Sequence, residues 1–436
     1  MKAVVYFKLA LKYLWRHKRR YLFMFIALGF GFGVQMVISS LKDGMKENLY
    51  VSAQAHYSGD IIAFGLDPDT SISYHMTSIE IDSVLASAQA ASIDPLAVSV
   101  RTAVFGMRRG SIHFNGNTSP LKDIVGVDWE AEKKYIGGLS FTGSPSPFND
   151  DTILLSRPVA EELMIQQGDS IILEVLTVTG QKNTGTFFVD GIVDDSAIFG
   201  FYKVYVSRLT LNRLIGLADG DCSYVGFSLK NRKTLEQKRA ALYNSLLEKV
   251  KTLPLVSDRD GFYKSKKNLE KGISVLLISL PVLLSEVDQL VSAIDLAAFV
   301  LFAMMMAIIM VSAAVTCRLI LHERTRETGT MRAIGFYDRD LRRILFMEMA
   351  SMAFLSMAAG FLLSLLINRG FRAMSYSWFP GFEVFLHNGQ LIARYLPGTI
   401  VVNIVVTASM LTLAIGGQIF RNSRGPLGEM LSGGAM

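Results

Sequence analysis

The sequence predicts an α-helical membrane protein with four transmembrane helices and one large α+β domain inserted after the first of them. Three observations carry this. The chain of 436 residues is 50% hydrophobic, and the apolar excess is gathered into four long runs where a soluble domain would spread it over a core. Lys and Arg fall unequally among the segments that join those runs. The long stretch between the first and second runs has ordinary mixed composition, long enough to bury a core of its own.

Residues 1–20 set Val4, Phe7, Leu9, Leu11, Leu14 and Trp15 among seven basic residues with no acidic one, the pattern of an amphipathic basic helix lying at the inner interface. Residues 21–41 form the first span. Each apolar run holds roughly 20 residues, which at about 1.5 Å per residue crosses a hydrocarbon core of about 30 Å. The run lacks an A-x-A-like exit and reads as a retained helix, not a cleaved signal.

Residues 42–290 are expected to form the inserted α+β domain, of two lobes, and a stalk. Period-two alternation marks strands at 60–64, 97–105, 111–114, 170–177, 186–193 and 203–206, with Gly, Asn and Asp between them. Helical spacing marks 78–90, 157–165, 207–214 and 234–253. The apolar segment 273–284 is too short to cross a bilayer and contains Pro281; residues 264–290 are expected to continue the second membrane helix outward as a stalk.

The second span is expected at 291–320, its apolar run starting near Leu296. A charged loop follows at 321–343, the third span at 344–367, an outer loop at 368–395, the fourth span at 396–420 and a tail at 421–436. The loop 321–343 carries Arg324, Arg326, Arg332, Arg339, Arg342 and Arg343, whereas 368–395 carries only Arg369, Arg372 and Arg394. Both termini and the 321–343 loop are therefore expected in the cytoplasm, with the large domain opposite. The net charge of +6 is an orientation signal and a contact with membrane lipid; nucleic acid is not needed to explain it.

Small residues recur at four-residue spacing inside the spans: Gly29 and Gly33, Ser356 and Gly360, and Ala408, Thr412 and Gly416. Such stripes let helix backbones approach closely where lipid gives no hydrophobic drive to associate. The spans are nearly free of charge, which argues against an ion pathway. Glu348 is the exception, about one turn into the third span, and is expected to snorkel or to pair with Arg342 or Arg343. The six His and two Cys make no metal-ligand spacing, and no G-x-x-x-x-G-K-[ST] occurs, so the sequence shows neither a metal centre nor a nucleotide site of its own.

The most patterned segment is Leu321 to Phe336. Glu323 and Glu327 stand four apart, Arg324 and Arg326 flank them, Gly329 and Gly335 are positioned as helix stops, and Met331, Ala333 and Ile334 make a small apolar knuckle. A short helix with an apolar face and a charged fringe suits a groove on a cytoplasmic partner.

This run resembles the E-R-x-x-E-I-G-x-x-R-A-I-G pattern of the MacB/FtsX/LolC-LolE family of ABC permeases, with Glu323, Arg324, Glu327, Gly329, Arg332, Ala333, Ile334 and Gly335 in the matching positions. Thr328 stands where the family usually has Ile. The basic entry 14–20, Ser58-Gly-Asp-Ile61, Val125-Gly-Val-Asp128, 153–156, 188–192 and 346–350 are similar to further family segments, in order.

The resemblance implies a permease subunit that does not hydrolyse nucleotide itself. ATP and Mg would sit on separate ABC ATPase subunits, and a second permease, identical or diverged, would complete the assembly in the cell inner membrane. Glu323, Arg324, Glu327, Gly329, Met331, Arg332, Ala333, Ile334 and Gly335 would then form a coupling helix, and the large domain would be a MacB-like periplasmic domain moved by mechanotransmission. The four-span plan is most similar to the LolC/LolE lipoprotein-releasing permeases, which implies lipoproteins and a periplasmic carrier as partners. A MacB-like efflux permease, an FtsX-like regulator of wall hydrolases and, outside the family, a membrane-anchored receptor without ATPase are the alternatives.

Overall fold

The computed structural model describes residues 18–136, 139, 141–142, 149–193, 199–267, 269–376, 385–386 and 390–422. The basic segment expected at 1–20 lies almost wholly outside them, as does most of the tail. The chain divides into two compact units, one of residues 1–46, 292–375 and 390–436 and the other of 47–291 and 376–389.

The first unit is helical because apolar backbone in lipid must satisfy its hydrogen bonds within the segment. Its membrane helices are Lys18–Tyr57, Ser285–Glu323, Asp338–Ala373 and Pro397–Asn422, with a short helix, Thr325–Ala333, between the second and third. All four long helices are apolar enough over a sufficient length to cross a membrane. They outrun the apolar stretches that predict them, since the first continues to Tyr57 and the third begins at Asp338.

Buried side chains at three- and four-residue spacing bring the four helices onto one core: Met24 and Leu28 from the first, Ile309 and Ala313 from the second, Leu345 and Met349 from the third, Leu411 and Ile415 from the fourth. The second helix is the least enclosed, with 17% of its apolar window buried against 50% for the first.

The first and third helices cross at their small residues. A Cβ on Gly29 would lie 3.1 Å from the Ser356 carbonyl oxygen, one on Gly33 2.9 Å from that of Gly360, and one on Gly360 would overlap the Gly29 carbonyl oxygen. Thr412 and Gly416 behave differently from the sequence expectation. Thr412 is exposed and back-bonds to the Ala408 carbonyl, and a Cβ on Gly416 would meet nothing within 4 Å. Of that stripe only Ala408, among the described residues, packs on the other helices, against the cluster of Phe32, Met36 and Met357.

A seam of neutral polar groups joins the first helix to the third and fourth. Gln35 donates to Asn403 Oδ1 at 2.9 Å, Asn403 to Ser39 at 3.1 Å, Asn368 to Ser40 at 2.8 Å and to the Tyr395 hydroxyl at 2.5 Å. Thr399 donates to Asp43 at 2.6 Å. Asp295, whose side chain is partly exposed, is held by Lys46 and, at 3.9 Å, by Lys42.

The second unit is built on one 12-stranded sheet. Its strands are β1 (Ile61–Leu66), β2 (Pro95–Phe105), β3 (Gly110–Phe114), β4 (Asn117–Pro120), β5 (Asp123–Val127), β6 (Phe141–Thr142), β7 (Thr152–Ser156), β8 (Ser170–Leu176), β9 (Lys182–Val193), β10 (Lys203–Ser207), β11 (Tyr224–Leu229) and β12 (Ser274–Ser279). The order is β12-β1-β11-β2-β5-β10-β7-β9-β8-β3-β4, with β6 beside β9. Two lobes share it through β2, whose residues 95–101 pair with β11 and 102–105 with β5. Helices Ser78–Ala90 and Leu235–Leu246 cover one lobe, and Arg157–Leu163 and Arg208–Ile215 the other.

The stalk expected at 264–290 is corrected by the structure. Residues 274–279 form β12, every residue of which is buried, paired antiparallel to β1 from Ile61↔Ser279 to Leu66↔Ser274. Pro281 does not kink a long helix; it lies in the first turn of a four-residue helix, Leu280–Leu283, before the second membrane helix starts at Ser285. An apolar run buried on both faces has neither period, so its pattern alone does not separate strand from helix.

Candidate functional site

The loop between the second and third membrane helices is where the sequence places its chemistry. The second helix ends at Glu323, and Thr325–Ala333 forms a separate short helix. Gly335 has φ 103°, a left-handed conformation that costs glycine least, and the third helix starts three residues later. Gly335 is thus the stop its spacing predicts. Gly329 is not, since it lies buried inside the short helix.

The charged residues of this loop divide by burial. Glu323 and Glu327 are exposed. The side chain of Arg332 lies outside those described. Arg324, expected in the charged fringe that meets a cytoplasmic partner, is 5% exposed. It donates to Glu348 Oε2 at 2.6 Å, while the Tyr21 hydroxyl donates to Glu348 Oε1 at 2.6 Å. Glu348 is fully buried. It therefore neither snorkels nor pairs with Arg342 or Arg343; Arg343 instead lies 3.8 Å from Asp340.

The apolar knuckle is larger than the sequence reading allows. Met331 turns inward onto the helix core, and Ala333 is exposed with Ile334. Ile334 is 75% exposed, Phe336 47% and Tyr337 78%. The two aromatics lie just past the family-like run, and a Phe-Tyr pair beside a glycine turn in a charged loop was the signal available for them. Thr328, the departure from the family's Ile, is buried and bonds back to the Arg324 carbonyl at 3.1 Å.

In the sheet unit the segment 58–61 has a local reason for its residues. Gly59 has φ 137°, and a Cβ there would lie 2.7 Å from the Phe227 backbone. Asp60 is fully buried; its carboxylate accepts from Tyr50 at 2.7 Å, Gln54 at 2.9 Å and the Leu229 amide at 2.6 Å. Helix end and strand start are thereby fastened together.

The same helix end meets a buried ion pair absent from the sequence reading. Arg101 and Glu132 are both fully buried, and Arg101 Nε donates to Glu132 at 2.8 Å. Its two terminal nitrogens donate to the Ala55 and His56 carbonyls at 3.0 Å each, and Lys203 adds a bond to the His56 carbonyl at 2.9 Å. A cation pair at a helix C-terminus satisfies carbonyls that have no partner within the helix. Burial works against the Arg101 charge, but the Glu132 carboxylate together with Tyr224 and Tyr205 holds the guanidinium above its ordinary range.

No group of three or more His, Cys, Asp or Glu suited to a metal is present among the described residues. The two cysteines are free and buried.

Residues 299–423 match the model of the FtsX-like permease C-terminal family. None of the curated proteins compared with the chain matches it. Among solved structures, the periplasmic region of MacB from Actinobacillus actinomycetemcomitans is similar at 11% identity and a TM-score of 0.32, over 54% of this chain and 95% of that one. The family match runs from within the second membrane helix through the third and fourth and includes the loop that carries the knuckle.

Proposed function

We propose, from the premise that this chain is an ABC permease subunit of the MacB/FtsX type, that it couples ATP hydrolysis on separate ATPase subunits to work done by its sheet domain in the periplasm. The observation that supports this is the knuckle: exposed Ile334, Phe336 and Tyr337 project from a compact loop within the family-matched region. Aromatic and branched side chains on a rigid turn are the kind that anchor an interface.

In this reading the knuckle docks on the ATPase, where ATP and Mg are held, and a second permease completes the complex. Termini and loop 321–343 face the cytoplasm and the sheet domain the periplasm, in agreement with the Lys and Arg distribution. Helices that overrun the bilayer transmit movement along their length, and no ion path is needed through spans with so little charge. The cargo proposed is a lipoprotein lifted from the inner membrane and passed to a periplasmic carrier, as the resemblance to LolC/LolE implies.

The test is purification of the full chain with any co-eluting P-loop ATPase, then assay of hydrolysis and of lipoprotein release from proteoliposomes. Arg332→Glu and Gly335→Val, the latter strained by about 1–3 kcal/mol at a positive φ, are expected to leave insertion intact and to reduce coupled release ten-fold or more. Wild-type release by both variants would overturn the coupling assignment. Export of a soluble substrate, or activation of a wall hydrolase, in place of lipoprotein release would overturn the cargo.

A further inference from the structure

We infer that Arg324, Glu348 and Tyr21 form a buried clamp that fixes the angle between the second membrane helix and the short loop helix, making Arg324 a positioning residue and not a contact to the partner. Arg324 is the one residue between the two helices, Ser285–Glu323 and Thr325–Ala333. Its amide bonds to the Ile320 carbonyl at 3.1 Å, and its carbonyl accepts the Thr328 amide at 2.9 Å. The backbone at this junction thus closes one helix and opens the next.

What holds the junction is its side chain. Arg324 reaches Glu348 of the third helix at 2.6 Å, and the other oxygen of Glu348 takes the Tyr21 hydroxyl of the first at 2.6 Å. Three helices are tied to one hinge residue. Tyr21, Arg324 and Glu348 are each at most 5% exposed, so the charges cannot be rehydrated without moving the helices apart, and losing one partner strands the other. Arg324 Nε also lies 3.5 Å from Glu327, which is 45% exposed on the short helix. The hinge therefore joins a carboxylate on the loop surface to a carboxylate in the helix core, and the knuckle beyond it is presented in one orientation.

The clamp is tested without the ATPase by hydrogen exchange of the full chain in detergent. Amides of 325–334 report whether the short helix is held. Arg324→Ala and Glu348→Ala are expected to speed their exchange about ten-fold; the double variant, which leaves no stranded charge, should lie nearer wild type than either single. Tyr21→Phe, which removes one hydroxyl, should give a smaller increase and serves if an alanine variant does not fold. Unchanged exchange in these variants, or effects in the double that simply add, would overturn the clamp.

The link to coupling rests on the function proposed above and has its own readout. With a co-eluting ATPase, Glu348→Ala should retain capture of the ATPase but lose stimulated hydrolysis; wild-type stimulation would overturn the positioning role. If the wild-type chain captures no ATPase, the proposed function fails, and the exchange data still decide the clamp.

Discussion

At Gly59 the absence of a side chain decides whether the first helix can pass into β1. The residue has φ 137°, and a Cβ would lie 2.7 Å from the Phe227 backbone, so both conformation and space require glycine. Gly59→Ala is expected to destabilise the full chain by about 1–3 kcal/mol, read as a lower thermal midpoint in detergent. Gly59 was legible as part of Ser58-Gly-Asp-Ile61, but its reason was not, because Phe227 lies far along the chain. Glu348 illustrates the same limit. One carboxylate near the end of an apolar run is visible in sequence, whereas its partners, Arg324 and Tyr21, come from two other helices. Arg342 and Arg343 were nearer in sequence but fall on other faces of the helix. Local spacing finds neighbours within one helix; buried pairs here are made between helices.

At the scale of elements, the crossing of the first and third helices depends on Gly29, Gly33, Ser356 and Gly360. Gly360→Val should separate these backbones and lower the thermal midpoint in detergent by several degrees, as a loss of about 1–3 kcal/mol through overpacking would. Gly416→Val, placed where a Cβ meets nothing, should leave it within about a degree. Equal effects would mean that the two stripes are not distinguished as the structure has them. Four-residue spacing was legible in all three helices, but spacing does not say which stripe has a partner. Strands divide similarly. β2, β3, β8, β9 and β10 were each anticipated within a few residues. β11 was missed and β12 was taken as stalk; both are buried at every residue, but so are β1 and β10, which were anticipated, so burial on both faces weakens the alternation without always hiding a strand. Neutral Gln35, Asn368 and Asn403, which join the first helix to the third and fourth, left no charge to notice.

For the whole molecule, the order of the sheet matters more than its size. β1 follows the first membrane helix and β12 precedes the second, and the two strands lie side by side. A disulfide introduced at Ala63 and Leu277, directly opposed in that ladder, is within ordinary cross-strand reach. If coupled work requires β1 and β12 to shift, the oxidised variant should lose release and regain it on reduction; full release when oxidised would show that the pair moves as one. Antiparallel strands joined in this way have both of their helix-proximal ends, Ile61 and Ser279, at the same end of the ladder. A displacement shared by the two helices would put no strain across the rungs, whereas a sideways separation of them would load the ladder at Ile61 and Ser279 first. If the two helices transmit movement as proposed, the β1–β12 ladder would act as a comparator, answering to what they do differently and not to what they do in common.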